Sequence, residues 1–153
     1  MSTEHVISVV SEADLEELLP LLRGYCDFYT AAPSDEALLA VSRALIDDHE
    51  REGLQLIARD AEGHAVGFAT LYWTWQTLNA ARLGVMNDLF VADAARGSGL
   101  ADRLIAACRE RCAEHGAREL AWQTAKDNHR AQKVYERVGG RRSEWLDYSL
   151  PVQ

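Results

Sequence analysis

Arg96-Gly97-Ser98-Gly99 follows the apolar run Leu89-Phe90-Val91 and precedes Leu100, where an amphipathic pattern begins. A strand entering a glycine-bearing turn and then a helix can hold an anion. The first-turn N–H groups of a helix have no intrahelical partner and carry roughly half a positive charge. Gly97 and Gly99 let a phosphate reach the backbone, and Arg96 adds a fixed cation beside it. The same residues also read as an ordinary loop in which glycine only permits the turn. Further on, Asn128, Ala131 and Tyr135 recur at spacings of three and four, within one narrow arc of a helix. Tyr135 can be a core aromatic there and Asn128 an N-cap. A third group, Tyr25, Asp27, Phe28 and Tyr29, mixes a carboxylate with aromatics. It reads either as the wall of a substrate pocket, with Asp27 facing an amine, or as a helix burying its rings. Cys108, Cys112 and His115 have ligand spacing but no fourth ligand, and the cysteines continue an apolar stripe, so no metal is expected.

The whole-chain properties narrow the chemistry. Apolar residues make up 48% and charged residues 26%, as in a globular chain, and 153 residues fit a single domain over 1–153. The net charge of −8 argues against a nucleic-acid partner and accords with a cationic small substrate. No apolar run is long enough to span a bilayer, so no membrane partner is expected. The start of the chain lacks the basic and apolar regions of a signal peptide, and three cysteines without framework spacing fit the reducing cytoplasm.

The elements that must position these residues follow from periodicity. Residues 5–10 are β-branched and predict a strand. Ser11 to Asp14 opens a helix carrying Leu15, Leu18, Leu19 and Leu22, which Pro20 should bend or break. Pro33-Ser34 opens a second helix with Leu38, Leu39, Val41, Leu45 and Ile46 on its apolar face. Strands are predicted over 54–59, 65–75 and 82–91, giving an antiparallel meander. A helix over 98–115 ends at Gly116. A strand over 119–124 should pair parallel with 87–91 through a right-handed crossover. A last helix begins at Lys126-Asp127-Asn128 and stops at Gly139-Gly140. A final strand is expected over 142–150, with Trp145 and Tyr148.

Arg96-x-x-Gly99-x-Ala101, with Asn128-x-x-Ala131-x-x-x-Tyr135-Glu136-x-x-Gly139 downstream, resembles the paired signatures of the GCN5-related N-acetyltransferase (GNAT) superfamily. Val66 to Ala69, Asn87 to Val91, Trp122 to Thr124 and Trp145 to Leu150 look like its Hpa-type and diamine acetyltransferase branch. The resemblance implies an α/β fold: a mixed, mostly antiparallel sheet of about six to seven strands, splayed between the fourth and fifth, with about four helices. It implies acetyl-CoA as cosubstrate, no metal, and direct attack by a primary amine of a small molecule in a ternary complex. The pantetheine would lie along the backbone of Leu89, Phe90 and Val91, with Leu89 N–H polarising the thioester carbonyl. The pyrophosphate would sit on the amides of Arg96, Gly97, Ser98, Gly99, Leu100 and Ala101. Asn128 would bond the pantetheine, Ala131 would leave room for it, and Tyr135 would protonate the leaving thiolate. A homodimer is also implied.

Asn87 stands where diamine-type relatives carry a glutamate, and an amide cannot accept the proton of an ammonium. Asp88 is the substitute, yet regular strand alternation would put Asn87 and Asp88 on opposite sides. The base is therefore left open between them. Asn87 also motivates a different function, an acyl-CoA-binding module without catalysis; a protein acetyltransferase is a third.

Overall fold

The computed structural model describes residues 4–153, in two compact units, 4–123 and 124–153. The first is built on a five-stranded sheet. β1 (Val6–Val9), β2 (Gly53–Arg59), β3 (Ala65–Gln76) and β4 (Ala81–Val91) run antiparallel in that spatial order, and β5 (Ala117–Ala121) joins β4 in parallel. The meander and the parallel crossover are as the periodicity predicts. The sheet has five strands among the described residues, not six to seven. The missing strand is that expected over 142–150. These residues are exposed without regular structure, and their unit contains a helix but no strand whose backbone could complete a ladder.

β5 also differs in register. It starts immediately after Gly116, whose positive φ of 79° ends the preceding helix, so it begins two residues earlier than predicted. It consequently lies beside Arg82 to Val85 rather than Asn87 to Val91. β4 thus runs on from Met86 to Val91 without β5, which is the splay between fourth and fifth strands.

One face of the sheet is covered by α1 (Leu15–Phe28) and α2 (Asp35–Asp47). Ser34 caps α2 by accepting from Ala37 N–H at 3.1 Å. Leu15, Leu18, Leu21 and Leu22 pack with Val10, Ile57 and Phe68 into one cluster. Full burial of each large side chain contributes about 1.5–3 kcal/mol. That packing carries α1 on past Pro20, where a bend or break was expected. Proline removes the donor to the Glu16 carbonyl, but both residues are exposed, so water replaces the bond. Val41, assigned to the apolar face of α2, is instead 46% exposed.

The opposite face carries α3 (Leu100–His115), through Leu100, Leu104, Ile105, Cys108 and Cys112. Gly84 makes this approach possible: a Cβ there would lie 2.3 Å from the Cys112 Sγ. All three cysteines are buried and unpaired. Burial pushes the Cys108 thiol up to about 12 and the Cys112 thiol to about 11. His115 is not placed for metal; its ring stacks on Trp73 at 4.0 Å and 5°. No helix among the described residues is long and apolar enough to cross a membrane.

In the second unit α4 (His129–Arg137) is capped by Asn128, whose side chain accepts from Ala131 N–H at 3.2 Å. Gln132 donates to the carbonyls of Ala125 and Lys126, both at 3.0 Å, fixing the approach to the helix. Gly139, at φ 90°, turns the chain so that Gly140 N–H reaches the Tyr135 carbonyl at 2.8 Å.

Gly84→Ala should cost about 1–3 kcal/mol of unfolding free energy by overpacking. Adding Cys112→Ala should recover part of that loss, a coupling readable from a double-mutant cycle in urea. A second expectation concerns acid. Burial first, then the Arg82 charge, holds the His115 imidazolium below its usual range. The folded chain resists protonating it, so its contribution is present above the ordinary histidine value of about 6.5 and is lost as pH falls through the lower folded value. His115→Phe, which keeps a ring on Trp73, should lose less stability than the parent protein over that acidic interval.

Candidate active site

The site is organised by an irregularity in β4. Thr70 of β3 pairs with Asp88, yet Leu71 pairs with Met86, so Asn87 is an extra residue without a partner across the strand. Such a β-bulge interrupts the two-residue alternation and turns the local side chains. Asn87 and Asp88 therefore do not face opposite sides as regular alternation requires. Asn87 Nδ2 donates to Asp88 Oδ1 at 2.9 Å, and both side chains belong to one cluster.

Two tyrosines converge on this pair. Tyr25, on α1, donates its hydroxyl to the Asn87 carbonyl at 3.3 Å. Burial, followed by the charge of Asp88 and a hydrogen bond with it, pushes the Tyr25 phenol well above its usual range, so it stays a neutral donor. Tyr72, on β3, is raised by burial and then by the same Asp88 charge. Nothing in the sequence reading singled out Tyr72. Its signal was its place on the same strand face as Thr70, which becomes informative only when Asp88 is known to lie opposite.

The aromatic segment is a continued helix, but its rings are not core. Tyr25 is half-buried, edge-on to Phe68 at 5.9 Å and to Tyr29 at 5.1 Å. Phe28 packs on Tyr29 at 5.1 Å, and these two are 62% and 52% exposed. They form an open aromatic border that adjoins Tyr25. Asp27 is not part of it. Two helical residues from Tyr25 place it about 200° around α1, and it is exposed.

Beyond the bulge, β4 offers its backbone on the side away from β3. Ala92 N–H donates to the Val66 carbonyl at 2.8 Å, and the Phe90 carbonyl also points toward β3, 2.9 Å from where a Gly67 Cβ would be. Period-two alternation then turns the N–H groups of Leu89 and Val91 the other way, along the stretch β5 does not cover. The chain continues through a short 3₁₀ turn, Asp93–Ala95, into Arg96-Gly97-Ser98-Gly99.

Gly97 and Gly99 have φ of 76° and 81°, a region L side chains rarely enter, and a Cβ on either would meet nothing within 4 Å. The turn therefore presents bare backbone at the mouth of α3, beside the first-turn amides of Leu100 and Ala101. The Ser98 hydroxyl donates to the Ala95 carbonyl and pins the turn. Arg96 pairs with Asp93 at 3.1 Å, so its charge is shared. This donor set, short of side-chain bulk and next to a cation, suits a pyrophosphate. Of the remaining expected residues, Asn128, Ala131 and Tyr135 lie on α4 in the second unit. Asn128 acts there as the N-cap, leaving its amide N–H donors for other partners.

Comparison with known proteins gives the family. Residues 17–140 match the sequence model of the Acetyltransferase (GNAT) family. The chain is similar to an uncharacterized N-acetyltransferase of Bacillus subtilis, YhfO, with 33% identity over 127 residues, 83% of each chain. It is also 30% identical over 135 residues to the D-amino-acid N-acetyltransferase HPA3 of Saccharomyces cerevisiae, covering 87% of this chain and 83% of that one. The crystal structure of a probable acetyltransferase matches with a TM-score of 0.85 and 29% identity, over 97% of this chain and 98% of the other. A glycine turn opening α3, a fourth strand that outruns its parallel neighbour, and this family match together make the chain a member of the GNAT family of N-acetyltransferases.

Proposed function

We propose that the chain transfers the acetyl group of acetyl-CoA to a primary amine of a small molecule, an amino acid or a polyamine, by direct attack in a ternary complex. The observation that carries this reading is the Asn87 bulge, which gathers Asp88 with Tyr25 and Tyr72 beside an open aromatic border. A carboxylate among neutral donors attracts an ammonium and can take its proton, directly or through water. This also supports catalysis over a merely cofactor-binding module, because a base exists where Asn87 alone offers none. The activities named for relatives point the same way: D-amino acids for HPA3, and L-methionine sulfoximine and sulfone for an enzyme of Pseudomonas aeruginosa, 29% identical to this chain.

Acetyl-CoA supplies the acyl group as an activated thioester. The amides of Arg96 to Ala101 bind its pyrophosphate, and the N–H groups of Leu89 and Val91 hold the pantetheine and polarise the thioester carbonyl. Asp88 removes a proton from the ammonium, and Asn87 steadies the carboxylate. Tyr135 gives its proton to the departing sulfur, Asn128 binds the cofactor arm and Ala131 makes space for it, roles resting on the family signature. Tyr25, Phe28 and Tyr29 border the amine's carbon skeleton. We read the two units as one catalytic domain, since the family match crosses their boundary. The unpaired cysteines fit the cytoplasm. Five exposed apolar residues, Trp145, Leu146, Tyr148, Leu150 and Val152, support a homodimer that covers them.

Incubation with acetyl-CoA and a panel of amino acids, polyamines and aminoglycosides, followed through release of free thiol, tests the reading. Turnover is expected with at least one class; none across the panel overturns it. Asp88→Asn should lower kcat/KM by roughly a hundredfold or more near neutral pH, and Tyr135→Phe should lower kcat by roughly ten- to ten-thousand-fold with cofactor affinity little changed. CoA at one hundred times its Kd should stabilise the fold by about 2.7 kcal/mol, visible as a raised Tm. An unmoved Tm contradicts the assigned cofactor cradle.

A further inference from the structure

α3 packs on β2, β3, β4 and β5, and β1 is the edge strand beyond them. Between that edge and the helix lies a cavity of about 330 Å³. Pockets for small molecules start at about that size. Its cause is the residue order of α3. Arg103, Ala107 and Arg111 stand four apart in one row of the helix, with Ala106 and Glu110 in the row beside it. The alanines are too short to fill the space in front of the strands, so the long side chains on either side frame a hollow. The two arginine Cα atoms are about 12 Å apart along the helix. On the sheet side, His5 immediately precedes β1 and shares a face with Ile7 by the two-residue alternation. Leu56 of β2 lies diagonally beside Ile7, in register with Val9. Ile7 and Leu56 make an apolar floor.

The walls are rich in donors. Arg103 Nη2 donates to His5 Nδ1, because a guanidinium cannot accept, so the hydrogen of the neutral imidazole is on Nε2. Arg111 pairs with Glu114 at 3.3 Å, and that carboxylate is 66% exposed. An exposed pair of this kind contributes little, so a ligand can replace it. Among the described residues of the lining, two arginines stand against one carboxylate, Glu110, on a chain with a net charge of −8.

We propose that this cavity binds a small organic monocarboxylate, its acid group held by the guanidiniums of Arg103 and Arg111 and its apolar tail resting on Ile7 and Leu56. The guanidinium fork matches the two oxygens of a carboxylate in a planar, charge-assisted pair. An inorganic anion uses the arginines but leaves the floor uncovered. A dicarboxylate sets its second charge against Glu110. Both features select a single acid with an apolar body. The site is separate from the proposed chemistry: it lies on the α3 side of the sheet, whereas Tyr25 reaches the Asn87 bulge from α1, on the other face. None of its residues belongs to the Arg96 to Ala101 turn, so the proposal stands or falls independently of the acetyl-transfer reading.

Proton–nitrogen NMR of the whole protein, titrated with hexanoate at millimolar concentration, tests the site. Saturable shifts are expected at the amides of Ile7, Ala106 and Ala107. Arg103→Gln and Arg111→Gln should each weaken hexanoate roughly tenfold or more, as for loss of a charged hydrogen-bonding partner. Ala107→Leu, which fills the hollow, should abolish the shifts. Ala106 is exposed, so Ala106→Leu gives a second blocking variant that leaves the core untouched. Hexylamine should leave these amides in place. Absence of saturable shifts from hexanoate overturns the site, as does an unchanged Kd in both arginine variants. Equal shifts from hexan-1-ol overturn the carboxylate assignment, because they report apolar occupancy only. Acetyl transfer does not enter any of these readings, so a failed amine panel leaves them unaffected.

Discussion

One inserted residue governs the exposed end of β4 in this fold. Two β-strands in regular register present their side chains to alternate faces, so a pair of neighbouring polar residues would be split between core and solvent. Asn87 breaks that register between Met86 and Asp88. Downstream of it, Asp88, Phe90 and the backbone of Leu89 and Val91 are all set by the shifted phase. Upstream, Arg82 to Val85 keep the parallel ladder with β5. The bulge thus separates a stretch of β4 that holds the sheet together from a stretch that is free to bind. The carboxylate and the unpaired amides that the proposed reaction uses arise at this single place.

Around it the fold divides its labour between two faces. Phe68 and the α1 leucines make the dry support on one side, while Leu100, Leu104 and Cys108 lock α3 to the other. The glycines mark where these layers come closest. Gly67 lets the Phe90 carbonyl and the side chains of Leu100 and Leu104 approach, and Gly84 admits Cys112. Rigid packing of α3 against the strands matters because its first turn carries the bare-backbone cradle at Gly97 and Gly99. Small displacements of that helix would move the cradle relative to Leu89 and Val91 on the neighbouring strand.

Much of this could be read from residue order. The β-branched run at residues 5–10, the turn signals after Arg59, and the glycine closing α3 gave the meander and crossover, because each is a local pattern with a local cause. The paired signatures around Gly99 and Tyr135 pointed to the family. What escaped was set by register. A bulge leaves no mark in composition: Met86-Asn87-Asp88-Leu89 looks like any strand, and only pairing with Thr70 and Leu71 shows the extra residue. Tyr72 escaped for the same reason. Pro20 misled because its cost depends on solvent at Glu16, and the strand expected over 142–150 was inferred from side chains although a strand requires a partner backbone.

The interior thiols carry a practical meaning for enzymology on this chain. Cys26, Cys108 and Cys112 are all shielded, and the latter two remain protonated far into alkali. Since disulfide-exchange reagents attack thiolates, the native protein is nearly invisible to a colorimetric sulfhydryl dye. In the proposed reaction, colour developed during turnover then comes from the released coenzyme, and a slow rise in an enzyme-only blank reports molecules that have opened.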